Sequence, residues 1–393
     1  MPAPMNRRAF LQAIGCSAAA FPLLSHATFA SAPFDHRLVV VILRGAMDGL
    51  DLLRPAGDPA LATLRPDLVA EAGIPLDDFW QLHPALNGLM PLWQAGELGF
   101  VHAVSTPYRD KRSHFDGQDL LEAGTAPDSP SEYQREGWLN RMLAGISGAR
   151  SETAFAIGRE ALPILEGKAP INRWSPDTEM RISPQARRLL ERLYEDDAPF
   201  HAAAQTALEL TQRMEDMATP LSVVESRKPD AEITAFANFA GARLREDTRI
   251  VALSLGGWDT HVSQAAGFVR PLRRLEQLIL DLRASLGPTW SKTAFIAMTE
   301  FGRTVRQNGT KGTDHGTGGA MITAGGAVKG GKVLGQWPGL SEQALYAGRD
   351  LMPTQDVRAV AGWVLHALMG QDKSKIETDI FPGLDLGTNP GLV

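Results

Sequence analysis

Apolar residues recur along this chain with two different periods. Leu38, Val39, Val40, Val41, Ile42 and Leu43 form an unbroken, β-branched run closed by Arg44 and Gly45, the pattern of a strand buried on both faces that feeds a loop. Two similar runs follow, 250–255 ahead of Gly256 and Gly257, and 293–298 ahead of Thr299 and Glu300. Between them the period lengthens. Leu272, Leu275, Ile279, Leu282 and Leu286 fall at alternating steps of three and four, with Arg273, Arg274, Glu276 and Asp281 between them, which predicts an amphipathic helix over 269–286. Strand, helix, strand in that order predicts a parallel pair joined by a crossover, and hence an α/β fold. Residues 180–245 show helical periodicity at 187–194 and 202–217 and almost no β-branched run, so they are expected to form a helical insertion or cap. The stretch 126–131, with Pro127, Asp128, Ser129 and Pro130, is loop.

The first thirty residues read as a targeting segment. Arg7 and Arg8 precede Phe10 and Leu11, a mainly apolar run covers 13–24, and Thr28, Phe29 and Ala30 suit a signal peptidase. This order resembles a twin-arginine signal, whose cargo crosses the membrane already folded, and it predicts a periplasmic or secreted protein that meets the twin-arginine translocase during export. The remaining 31–393 is expected to be a single domain. The sole cysteine, Cys16, lies inside the leader, so the exported chain has no thiol and no disulfide framework. No later stretch reaches the ~18 uninterrupted apolar residues of a membrane span.

The 393 residues are 44% hydrophobic and 21% charged, an ordinary globular make-up, with a formal charge of −6 that becomes −8 once Arg7 and Arg8 leave with the leader. Phosphate backbones need concentrated Lys and Arg, so nucleic acid is not an expected partner. In open α/β sheets the chemistry sits beyond the carboxyl ends of the strands. There the chain places Asp48 after the first run, Asp259 and His261 after the second, and Glu300, Arg303, Asp314 and His315 after the third. Asp and His bind divalent cations such as zinc or manganese, and a single Asp-His pair is as well read as a turn beside a hydrogen-bonding histidine; two pairs at strand ends favour metal. Ser113 opens a helical pattern over 114–123. Read alone it is an N-cap; beside cations it is a nucleophile. Arg112 and Arg303 are candidates to hold an anionic substrate, with His114 beside them. Residues 326–333 approach a phosphate-binding loop, but Val333 stands where Ser or Thr must meet magnesium, so the motif is declined.

From about residue 38 to 370 the sequence resembles the DUF1501 family of exported bacterial proteins, within the alkaline phosphatase-like superfamily. The resemblance rests on residues 43–50 around Asp48, on 112–115, 256–261 and 299–304, and on 312–316. It implies a three-layer sandwich, a mainly parallel sheet between helical layers, carrying two divalent ions and a nucleophile that attacks phosphate or sulfate esters. Carried over, Asp48 supplies a metal carboxylate, Ser113 the nucleophile, Asp259 and His261 the ligands of one ion, and Asp314 and His315 those of the other. Three departures stand out: Asp259 and His261 are closer together than the superfamily's pair, Glu300 intervenes, and His366, in an apolar helical context, does not complete a site. Glu300 or His114 is the expected replacement ligand. The functions to distinguish are a metal-dependent ester hydrolase and a non-catalytic exported scaffold retaining the fold.

Overall fold

The computed structural model of the protein describes residues 32–176 and 229–393. The leader, and the predicted insertion up to residue 228, lie outside the described residues.

The strands in chain order are β1 (Arg37–Leu43), β2 (Leu53–Pro55), β3 (Ile74–Pro75), β4 (Trp80–Leu82), β5 (Leu98–Ser105), β6 (Ala154–Ile157), β7 (Asn172–Trp174), β8 (Ile250–Leu255), β9 (Thr293–Met298), β10 (Gly319–Ala324), β11 (Val333–Leu334) and β12 (Gln355–Asp356). The helices that matter here are α1 (His114–Ala123), α2 (Trp138–Ala144), α3 (Pro229–Leu244), α4 (Val269–Leu286) and α5 (Val357–Met369). Among the described residues one nine-stranded sheet runs in the order β11-β5-β10-β9-β1-β8-β6-β7, with β12 also on β5, while β2, β4 and β3 form a small separate sheet. Within the large sheet β10 runs antiparallel to β5 and β9, and the other pairings are parallel.

The predicted strands and the predicted helix appear where the periodicity puts them. β1 lies at the centre with β8 and β9 on either side, so α4 crosses over β1 to join its two neighbours. Alternate side chains of β1 serve two cores. Val39, Val41 and Leu43 pack with α3 and α4, and Leu38, Val40 and Ile42 pack with α2 and α5. All six are fully buried, each contributing roughly 1.5–3 kcal/mol, which explains why this run is apolar throughout rather than alternating. Helix α3, the described part of the 180–245 segment, is a layer helix packed on α4. Among the described residues no helix is long and apolar enough to cross a membrane.

Because β1, β5, β8 and β9 point one way and β10 the other, the loops after those four strands and the loop before β10 meet at one edge of the sheet. Helix α1 is fixed there from both ends. Ser113 caps its start, and Gly124 ends it with φ 66°, where a Cβ would come within 2.7 Å of Phe381 and 2.8 Å of Trp138.

Glu122, on the buried face of α1, lies 2.7 Å from Arg44 and accepts from Ile164 N at 3.2 Å. Burial pushes its carboxyl from the ordinary 4.5 up to about 7, against the pull of Arg44. Between those two values the folded chain keeps a proton that the unfolded chain has released. The contribution of Glu122 to stability therefore falls as pH rises through that window, by roughly 3 kcal/mol in all. Urea midpoints measured at pH 5 and pH 8 should show that decline in the wild type and a clearly smaller one in Glu122→Gln; equal declines would place the proton elsewhere.

Candidate functional site: a histidine and aspartate cluster at the sheet edge

Three histidines and one aspartate converge at this edge. Asp259 Oδ1 lies 2.9 Å from His261 Nε2, 3.1 Å from His315 Nε2 and 3.5 Å from His114 Nε2, and the Nε2 atoms of His261 and His315 are 3.0 Å apart. Asp259 and His261 come from the loop after β8, His114 from the first position of α1, and His315 from the segment leading into β10. Among the described residues, His114, Asp259 and His315 form the group able to share a metal ion.

Each imidazole is held through its other nitrogen. His114 Nδ1 is 2.8 Å from Glu300 Oε1, His315 Nδ1 is 3.0 Å from the Arg112 carbonyl oxygen, and His261 Nδ1 is 3.5 Å from Asp314 Oδ1. Phe301 stacks on His114 at 5.3 Å and 21°, fixing the ring plane. Arg112 presents its carbonyl from a left-handed conformation, φ 55°, a cost for a residue with a Cβ of the kind found where backbone geometry serves a site.

The charges are arranged to keep the carboxylates ionised. Burial works against Asp259, but Arg303, by hydrogen bond and by charge, and then His315 and His261, hold its carboxyl at about 2. Burial likewise opposes ionisation of Glu300, and the hydrogen bonds from His114 and Gln118 outweigh it. Glu300 in turn raises the pKa of His114, whereas burial lowers that of His315. The Asn308 amide holds Asp314 low.

Several expected site residues do other work. Asp48 is buried as the cap of a short helical turn, Gly49–Leu52; its Oδ1 accepts from Leu50 N and Asp51 N, and its Oδ2 from Arg65 at 2.7 Å and Gln264 at 2.6 Å. With both oxygens committed it takes no part in the cluster. Arg303 is not a substrate clamp: it is 1% exposed and donates to the carbonyls of Gly45, Ala46, Trp258 and Thr313 and to Asp259, tying the loops after β1 and β8 together. Glu300 sits behind His114 rather than among the converging atoms. Its Oε1 accepts from Gly45 N, His114 and Gln118, and its Oε2 from Thr299. Asp314 likewise stands behind His261. His366, as expected, is structural: in the last turn of α5 its Nδ1 faces the Gln371 carbonyl at 2.8 Å.

Ser113 caps α1 through a long contact, accepting from Asp116 N at 3.4 Å, and its own amide donates to the Tyr108 hydroxyl at 2.8 Å. The side chain of Arg112 is 41% exposed and reaches Asp350 only at 3.8 Å. Phe115 and Val262, the neighbours in sequence of His114 and His261, are 83% and 62% exposed, giving the site apolar flanks. Sequence reasoning did not find Arg65, Gln118 or Gln264, because each acts by burial against a residue distant in the chain.

The protein is thus of the α/β class, with a mainly parallel sheet that carries histidines and a carboxylate at its carboxyl edge. The chain belongs to the DUF1501 family, described as protein of unknown function, which it matches over residues 100–368. No curated protein matches the sequence. Among solved structures the chain is similar to a protein in the alkaline phosphatase superfamily from Vibrio parahaemolyticus (12% identity, 90% of this chain and 73% of that one, TM-score 0.41). It is also similar to the C-terminal periplasmic domain of EcEptC from Escherichia coli (9% identity, 93% of each chain, TM-score 0.40). A third is the soluble domain of lipooligosaccharide phosphoethanolamine transferase A from Neisseria meningitidis (9% identity, 74% and 77%, TM-score 0.33). Likeness of this degree carries no argument about chemistry, which rests on the residues themselves.

Proposed function

We propose that the chain is an exported, metal-dependent hydrolase of phosphate or sulfate esters, centred on Asp259, His114 and His315, with His261 beside them. The observation that supports this reading is their convergence at the carboxyl edge of the sheet, beside the capped start of α1. The donor set fits a divalent ion on the structure's own terms: His114 Nε2 is buried without a hydrogen-bond partner and faces Asp259. Asp259, His315 and His114 would hold the ion, which when bound supplies positive charge to polarise an ester and to lower the pKa of a neighbouring hydroxyl.

The remaining roles fall to the chain. Arg112, exposed and loosely paired, meets the anionic oxygens of the ester. Ser113, whose hydroxyl makes the long cap contact and a contact to the Tyr108 hydroxyl, attacks phosphorus or sulfur: the bond from Oγ forms as the bond to the leaving oxygen breaks, the serine proton passes to that oxygen, and water then cleaves the ester on the serine. Phe115 and Val262 accept an apolar leaving group. One observation favours the scaffold reading instead: Asp259 Oδ1, the oxygen nearest the imidazoles, already accepts from the buried Arg303 guanidinium.

Aryl phosphate and aryl sulfate esters separate the two. The metal-loaded protein is expected to turn over at least one of them, to lose roughly 100-fold or more on chelation, and to recover when zinc or manganese is restored. Bound metal with no turnover of either ester would leave the scaffold.

A further inference from the structure

We infer that Gln264 is a positioning residue: its buried side-chain amide seats the two loops that carry Asp259, His261, Asp314 and His315 on the turn that follows β1. Asp48 and Asp51, which form that seat, thereby act on the cluster without touching it. The importance of the seat for turnover rests on the hydrolase reading above; its effect on the geometry does not.

The two loops are first joined to each other. Ser263 N donates to the Thr310 carbonyl and Gln264 N to that of Lys311, both at 2.9 Å, and Thr313 N donates to that of Thr260 at 3.2 Å. Asn308 Nδ2 adds a bond to the His261 carbonyl at 2.9 Å. At Gly312 the approach is so close that a Cβ would lie 2.2 Å from the carbonyl carbon and oxygen of His261. Segments 259–264 and 308–315 therefore behave as one unit. Arg303 ties that unit to the Gly45 and Ala46 carbonyls, through Asp259 and the Trp258 and Thr313 carbonyls. A single anchor leaves a pivot, and Gln264 supplies the second.

The side chain of Gln264 is fully buried. Its Nε2 donates to Asp48 Oδ2 at 2.6 Å and Asp51 Oδ2 at 2.9 Å, and its Oε1 accepts from Thr260 Oγ1 at 2.9 Å and Thr313 Oγ1 at 2.6 Å. The amide fits only this way round, because carboxylates paired with arginines accept hydrogen bonds and so must face its NH2 group. Both of its hydrogens and both of its lone pairs are used. The seat is itself held, Asp48 by Arg65 at 2.7 Å and Asp51 by Arg54 at 2.8 Å. On the other side of the amide, Thr260 lies between Asp259 and His261, and Thr313 directly precedes Asp314 and His315. The unit brings His315 to 4.3 Å from His114, ring centre to ring centre, whereas His114 is held from elsewhere, by Glu300 and Phe301. Released at Gln264, the unit pivots about Arg303 and the contact between His114 and His315 opens.

The test uses the mature chain with isotope-labelled histidine and phenylalanine, kept in chelator so that no ion bridges the rings. Nuclear Overhauser contacts are read for three ring pairs: His114 with His315, His261 with His315, and His114 with Phe301. In Gln264→Leu, and in the double variant Thr260→Val with Thr313→Val, the first contact should weaken severalfold while the other two persist. Serine at both threonine positions keeps the hydroxyls and should restore it. Should Gln264→Leu fail to fold, the double variant decides alone, since valine differs from threonine only by a methyl in place of the hydroxyl. An undiminished contact between His114 and His315 in the folded double variant would overturn the inference, as would equal weakening of all three contacts, the mark of general loosening. On the hydrolase reading, kcat for an aryl phosphate should fall about 100-fold together with that contact. A wild type without ester turnover would sink that reading, and the ring contacts would still decide this one.

Discussion

Ser113→Ala is expected to lower the turnover of an aryl phosphate or sulfate by at least about 10³-fold, with bound metal unchanged. The residue precedes His114 but contributes no atom to the converging cluster, so its loss leaves Asp259 and the three imidazoles in place. Its structural duty is modest: the hydroxyl makes a long cap contact to Asp116 N and a contact to the Tyr108 hydroxyl, and losing both costs about 1–2 kcal/mol. The expected signature is a collapse in kcat, read together with metal content and a thermal midpoint shifted by only a few degrees. Equal turnover in the variant would pass the attack to water and leave Ser113 as a cap. Loss of metal along with activity would mean that the start of α1 had moved, and Ser113→Gly, which keeps much of the cap's geometry, would show whether it had.

Arg65→Ala should produce the largest loss of stability, about 3–5 kcal/mol. This guanidinium is fully buried, donating to Asp48 at 2.7 Å, to the Val305 carbonyl at 2.8 Å and to the Thr304 carbonyl at 2.6 Å. Truncation leaves a buried carboxylate supported only by Gln264 and two backbone amides, together with two carbonyls without partners. Replacing both members, Arg65→Met with Asp48→Asn, removes the stranded charge and should recover a large part of the loss. Urea unfolding of the two variants beside the wild type measures the difference. Equal stability of Arg65→Ala and the wild type would mean that water enters the cavity and solvates Asp48.

These two residues also show how far the sequence could be read. The strands at 38–43, 250–255 and 293–298, the helix over 269–286 and the capped start at Ser113 were legible because each is decided locally, by burial on two faces, by a 3.6-residue period or by a cap. The loops bearing Asp259, His261 and His315 were legible too, since they follow strands whose direction was known. Which atoms face one another was not. Asp48 and Asp259 look alike in sequence, each an acidic residue near glycine after a strand. The difference between them lies in Arg65, which reaches Asp48 from a separate segment, and in Arg303, which binds Asp259 while leaving it in contact with the histidines. Arg303 itself reads as a surface charge until its four carbonyl partners are seen. His114 becomes a donor to the cluster only because Glu300, 186 positions away, takes its other nitrogen.

The reversal of β10 brings His315 to the same edge as His114, and its partner carbonyl at Arg112 lies 203 positions earlier in the chain. A growing chain therefore carries at most a fragment of the donor set until nearly all of the sheet has been made, and no partly folded stretch can discriminate between ions. On the proposed reading, selection of a metal would be deferred to the moment of final assembly, in whichever compartment that occurs. If the leader with Arg7 and Arg8 carries a folded cargo, that compartment is the cytoplasm, and the ion available there, rather than the ion most abundant outside, would decide what such a cargo holds.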